Sequence, residues 1–155
     1  MIKYLAMDVD GTLTDGKIYM GNNGEVMKAF SVKDGCGIHD ILIPAGIIPI
    51  IITGRKSDIV ELRCKEIGIN QIYQCISNKL EKLQEITHTL NEVAYIGDDI
   101  NDLKAMNMIK AEGGIVGCPM NAADEVRSIA NFVSEKNGGE GAVRDFIEWL
   151  VKKTI

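Results

Sequence analysis

Residues 47–53 read IIPIIIT, with no polar side chain before the final threonine. A strand with one wet face alternates apolar and polar residues, whereas an unbroken apolar strand is covered on both faces. That is the condition of a parallel sheet held between helices. Further strand-like runs are KYLAM (3–7), INQIYQCI (69–76) and EVAYIG (92–97). Helical spacing of apolar residues lies between them, over 34–45 (closed by Pro44 and Gly46), 56–68 (ending at Gly68), 78–91 and 100–108. GGIVG (113–117) and IANFVS (129–134) predict two short final strands. Ala142, Val143, Phe146, Ile147, Leu150 and Val151 form one apolar stripe, which predicts a closing amphipathic helix over 142–153. Strands alternating with helices predict an α/β fold, a three-layer sandwich around a mainly parallel sheet.

KIYMGNNGEVMKAFS, residues 17–31, predicts a hairpin flap, two strand-prone runs around the turn-forming GNNG. With 155 residues and no linker or repeat, the chain is expected to form a single domain over 1–155. Its formal net charge of −5, without any basic block, argues against a nucleic-acid partner. The longest apolar stretch, ILIPAGIIPIII, falls well short of the roughly 20 residues needed to cross a bilayer, so no membrane partner is expected. The N-terminus MIKYLAMDVD turns acidic before a signal-like segment is complete, and the cytoplasm is the expected location. Cys36, Cys64, Cys75 and Cys118 form no C-x-x-C pair and are expected as buried free thiols. His39 and His88 are too few for a histidine-based metal centre.

In open parallel sheets the ligand crevice lies beyond the carboxyl ends of the strands. Four polar groups are expected there: Asp8 and Asp10 after the first strand, Thr53-Gly54-Arg55 after the second, Lys79 after the third, and Gly97-Asp98-Asp99 after the fourth. A calcium loop read from Asp8 fails, since Leu13 stands where glycine is required and Tyr19 where glutamate is. Magnesium suits the set better: it takes hard oxygen ligands, and Asp8 and Asp98 can supply two. An aspartate carboxyl, with a pKa of ~3.9 in the open, is ionised at neutral pH, so Asp8 can attack phosphorus without a base. Asp10, two positions on, can protonate a leaving alkoxide and afterwards activate water. Asn78 and Glu81 have capping spacing, which puts Lys79 in a first helical turn. A cation there opposes the helix dipole and makes sense beside an anion. The Thr53 hydroxyl and the N–H groups of Gly54 and Arg55 can cradle phosphate oxygens.

DVDGTLT, IITGR, Lys79 and GDDIND, in this order, resemble the four motifs of the haloacid dehalogenase superfamily of phosphatases, which have a Rossmann-like sheet. The resemblance implies Asp8 as nucleophile through an aspartyl-phosphate, Asp10 as acid/base, and Thr53 and Lys79 as phosphate ligands. It also implies Mg2+ bound by Asp8, the backbone carbonyl of Asp10 and Asp98, with Asp99 and Asp102 steering Lys79 and the metal's waters. DGKIYMGNNGEVMKAFSVKDGCGI, TGRKSDIVELRCKEIGI, SNKLEKL, VAYIGDDIND and GGEGAVRDF are similar to the capless 3-deoxy-D-manno-octulosonate 8-phosphate phosphatase group. That similarity implies removal of phosphate from a 2-keto-3-deoxy sugar acid, no separate cap domain, and a homotetramer whose hairpins pack together. Arg55 and Arg63 are then candidates for the substrate carboxylate, as planar two-point clamps, and Lys33 or Asn78 for the sugar. Glu140 departs from the group, which carries arginine there, and resembles enzymes acting on nine-carbon ketoacid 9-phosphates. Other possibilities are a non-catalytic oligomerisation module, like the C-terminal domain of some cytidylyltransferases, and a phosphatase of another superfamily branch.

Overall fold

The computed structural model describes residues 1–154; residue 155, the last of the expected domain, lies outside the described residues. Six parallel strands form the sheet: β1 (Tyr4–Met7), β4 (Ile48–Ile52), β5 (Gln71–Tyr73), β6 (Val93–Ile96), β7 (Ile115–Cys118) and β8 (Phe132–Val133), in spatial order β5-β4-β1-β6-β7-β8. The central strand β1 pairs in register with β4 (Tyr4 opposite Ile48) and with β6 (Tyr4 opposite Val93). The chain builds outward from β1 to β4 and β5, then returns to its other side with β6. This reversal leaves a crevice at the carboxyl end of β1.

Both faces of the sheet are covered, as the unbroken apolar strands require. Leu5, Met7, Ile51 and Ile96 pack with α2 (Asp58–Glu66), α6 (Ala142–Thr154) and the turn Gly37–Leu42 that continues α1 (Val32–Cys36). Ala6, Ile50, Ile52 and Tyr95 face α3 (Lys79–Ile86), α4 (Leu103–Ala111) and α5 (Asp124–Ile129). Alternate residues of each strand thus feed opposite cores, and a fully buried Leu or Ile in either contributes about 1.5–3 kcal/mol. Of the stripe expected on the closing helix, Ala142, Val143, Phe146, Ile147 and Leu150 are buried and Val151 is half-buried.

Several boundaries differ from the sequence reading for local reasons. The first helix begins at Val32 because Ser31 Oγ accepts the Asp34 N–H at 3.4 Å, and it continues as a wider-wound turn through Gly37–Leu42. The helix expected over 78–91 stops at Ile86, where Thr87 turns extended, and Leu90–Glu92 form a separate tight turn. The short α5 had no clear apolar period, since Val126 is its one buried residue. Only Cys64 and Cys118 are buried thiols. Cys36 and Cys75 are exposed, Cys36 facing the Asp40 carboxylate and Cys75 lying on a left-handed bend (φ 59°) after β5.

Residues β2 (Tyr19–Gly21) and β3 (Gly24–Met27) form the expected hairpin as a separate two-stranded sheet, narrower than 17–31. Ile18, Met20, Val26 and Met27 on it are exposed.

Candidate active site

Each strand ending delivers its polar group into one place. Asp8 follows β1, its N–H bonded to the Ile96 carbonyl of β6 at 3.1 Å. Thr53 follows β4, and its N–H is held by the Tyr73 carbonyl at 3.0 Å. Asp98 stands one residue beyond Gly97 after β6. A cleft of about 240 Å³ is lined by Asp8, Asp10, Thr53, Gly54, Arg55 and Asp98, with Asp99 and Asn101 at its edge. Gly11 permits this crowding: its φ of +89° suits glycine, and a Cβ there would meet Asp98 Oδ2 at 2.0 Å. Behind that loop, a Cβ on Gly138 would meet the Gly11 carbonyl oxygen at 1.9 Å, and the Gly139 N–H bonds to the Thr12 carbonyl at 3.2 Å. Residues 138 and 139 therefore brace the turn that follows Asp8.

Lys79 opens α3, whose N-cap Asn78 accepts the Glu81 N–H at 3.1 Å. Its side chain is buried, and Nζ donates to Asp8 Oδ1 and to Asp102 Oδ1, each at 2.8 Å. Burial works against the ammonium charge, but the two aspartates outweigh it and raise the Lys79 pKa. Asp102 is saturated with donors. Oδ1 takes Lys79 and the Tyr95 hydroxyl (2.5 Å), while Oδ2 takes the N–H groups of Asp98 (3.0 Å) and Asp99 (3.2 Å). Burial and the adjacent Asp102 carboxylate in turn push the Tyr95 hydroxyl well above its ordinary range.

Asp8, Asp98 and Asp102 present ligand atoms within 4.8 Å of one another. Asp102 has no oxygen to spare, so a cation here would rest on Asp8 and Asp98. Their chemistry fits one. Burial and the charge of Asp102 raise the Asp8 pKa. Burial, a hydrogen bond to Asp8 and its charge push Asp98 up to about 9. Two carboxyls so placed cannot both ionise without a positive charge between them. A small hard cation would supply it, and the Lys79 ammonium adds a second positive charge beside Asp8.

Of the other candidates, Arg55 stands half exposed on the rim, Nε 3.9 Å from Asp10 Oδ2. Arg63 is elsewhere: on α2 it pairs with Glu66 at 3.3 Å and lies over Gly35, beside Asp34 and Cys64. Asn78, besides capping α3, lines a smaller neighbouring cleft with Lys79 and Asn101. Lys33 lends its carbonyl to Arg144 at 3.4 Å, and Glu140 is an exposed turn residue. Sequence reasoning missed Tyr95, Glu25 and Lys28. Tyr95 had a signal, since a tyrosine inside a fully apolar strand needs a partner for its hydroxyl.

No protein-family profile matches the chain. It is 42% identical over 154 residues to the 3-deoxy-D-manno-octulosonate 8-phosphate phosphatase KdsC of Escherichia coli K12, covering 97% of this chain and 79% of that protein. The crystal structure of the 3-deoxy-D-manno-octulosonate 8-phosphate phosphatase of Moraxella catarrhalis, in complex with magnesium, phosphate and KDO, superposes with a TM-score of 0.88 at 42% identity, over 97% of this chain and 86% of that one. The cobalt-bound deoxy-D-mannose-octulosonate 8-phosphate phosphatase of Haemophilus influenzae gives 0.87 at 34% identity, over 97% and 88%.

Proposed function

As the chain belongs to the KdsC family of 3-deoxy-D-manno-octulosonate 8-phosphate phosphatases, we propose that it is a magnesium-dependent phosphomonoesterase that releases the terminal phosphate of 3-deoxy-D-manno-octulosonate 8-phosphate. The observation that carries this reading is the Lys79 ammonium, 2.8 Å from Asp8, facing the crowded Asp8–Asp98 pair. An Asp8 oxygen attacks phosphorus and the bond from phosphorus to the sugar oxygen breaks. Asp10 gives that oxygen a proton, and the sugar acid leaves. Asp10 then takes a proton from water, whose oxygen attacks the acyl phosphate, releasing inorganic phosphate and restoring Asp8. Lys79 and the Thr53 hydroxyl hold the phosphoryl oxygens, and Asp102, through its four donors, keeps Lys79 aimed at them. Asp8, Asp98 and the Asp10 carbonyl would hold magnesium, which would screen the phosphoryl charge from the attacking carboxylate.

Arg55, half exposed at the open rim, is our candidate to pair with the sugar-acid carboxylate. The exposed apolar side chains of the hairpin favour a homotetramer in which hairpins cover one another and the cleft mouth. Unpaired thiols at Cys36 and Cys75 suit a reducing cytoplasm, and no helix among the described residues is long and apolar enough to cross a membrane. The test is phosphate release from eight- and nine-carbon ketoacid phosphates, nucleotides and pyrophosphate, with magnesium and after chelation. The eight-carbon substrate is expected to lead by at least about tenfold, and chelation to abolish turnover. Equal rates across the panel would defeat the substrate assignment.

A further inference from the structure

The hairpin reaches the site through a side chain that the reaction above leaves unused. Lys28, just past β3, has a side chain only 1% exposed, with Nζ 2.6 Å from Asp10 Oδ1 and 2.9 Å from Glu25 Oε2. Glu25 is itself fixed: Oε1 accepts the Ser57 hydroxyl at 2.8 Å, and Arg55 Nη2 lies 3.6 Å from Oε2. Burial opposes the Lys28 charge, but its hydrogen bonds to Asp10 and Glu25 outweigh that and raise its pKa. A lysine immobilised in this way gives up most of its rotamer freedom. A contact that only tied the flap to the body would be served by the Ser57 hydroxyl donating to Glu25. Lys28 instead reaches past Glu25 to the one carboxylate that must exchange a proton with substrate.

We propose that Lys28 is a positioning residue for Asp10: by holding Oδ1 it presents Oδ2 toward the cleft, where the leaving oxygen of the substrate will lie. Glu25 keeps Lys28 extended, and Ser57 keeps Glu25 in place. The proton then passes from Asp10 Oδ2 to the sugar oxygen as the phosphorus–oxygen bond breaks, with Lys28 remaining an ammonium throughout. This inference rests on the phosphatase reading with Asp10 as acid, but not on which sugar is the substrate.

The experiment compares leaving groups. An alkoxide needs the proton; 4-nitrophenolate departs without it. First-turnover release of the alcohol or phenol is measured by rapid mixing for 3-deoxy-D-manno-octulosonate 8-phosphate and for 4-nitrophenyl phosphate, with wild type, Lys28→Met and Glu25→Gln. Lys28→Met is expected to slow alkyl release about 100-fold and aryl release less than about threefold, with KM changed less than about threefold. Glu25→Gln, the milder change should Lys28→Met fold poorly, is expected to slow alkyl release about tenfold and spare the aryl substrate. Equal losses on the two substrates, in a variant that melts with the wild type, would overturn the proposal, as would no loss on either. If wild type ignores the octulosonate ester but hydrolyses another sugar phosphate, the substrate assignment fails alone, and the same ratio measured on that ester still tests Lys28.

Discussion

Lys79 and Lys28 each bury an ammonium against aspartates of the same cleft, yet the two networks are made of different material. Lys79 meets Asp8 and Asp102 through side chains mounted on the ends of core elements, with Tyr95 completing the set from inside β6. Water reaches almost none of it: the Lys79 side chain is 2% exposed and Asp102 not at all. Lys28 meets Asp10 and Glu25 from a flap that forms its own small sheet, and its partners stay partly open, at 21% and 13%. The first network belongs to the scaffold and, on the proposed reading, fixes the phosphoryl site. The second belongs to the flap and, on the proposed reading, can adjust the proton-handling side without disturbing the core. Buried pairs are costly to break because they strand a charge, whereas rim pairs are forgiving.

The strongest way to break this comparison is at Asp8. Asp8→Asn is expected to lower turnover about 10⁴-fold or more, read as phosphate release; retained turnover would remove the scaffold network from the chemistry altogether. Lys79→Met comes next. It strands Asp102 and Asp8 without their cation and is expected to cost about 3–5 kcal/mol in chemical denaturation. Lys28→Met should cost less than half as much, since water still reaches its partners; equal losses would erase the distinction between the networks.

A further test concerns a buried scaffold carboxyl outside both networks. Asp34, from α1, acts as the N-cap of α6, with Oδ1 accepting the Arg144 N–H at 2.9 Å, while its buried Oδ2 has no partner. Burial, ahead of the nearby Asp145 charge, raises its carboxyl from 3.8 to about 6. The folded state therefore holds this proton more tightly than the unfolded chain. The resulting stability is fully present below pH 3.8 and is lost as pH rises through about 6, roughly 3 kcal/mol in all. Denaturation midpoints of wild type and Asp34→Asn across pH 4–7 should show the difference, the variant lacking this contribution to the slope. The smallest effect is expected from Ser57→Ala, which removes one hydrogen bond to Glu25. A loss of about 0.5–1.5 kcal/mol or less is expected, with the Lys79 network unaltered, as read by the rate on the aryl ester.

The difference between the networks also explains what could be read in advance. Asp8, Thr53, Lys79 and Asp98 announce themselves because each follows an apolar strand, and strand ends converge in any parallel sheet. Nothing comparable flags Lys28. Its approach to Asp10 depends on how the hairpin folds back, and the hairpin's register shifts between Tyr19 and Met20, which no alternation rule anticipates. Arg63 shows the opposite failure. An arginine on the helix after Thr53-Gly54-Arg55 looks suited to an anion, but its place on α2 turns it over Gly35, and only the packed helix reveals that. The two exposed thiols were hidden for a similar reason: composition suggests burial for cysteine, while Cys36 and Cys75 fall on a helix end and a bend.

The brace of Gly138 against Gly11 carries a consequence for biosynthesis. The loop bearing Asp8 is synthesised well before the segment at Gly138 and Gly139 that wedges it into shape. A nascent chain can lay down β1, β4 and β6 while its catalytic turn is still slack, so competence for hydrolysis should arrive abruptly and late, once α6 docks. Prematurely terminated products would then be folded in part but inert toward cellular phosphate esters.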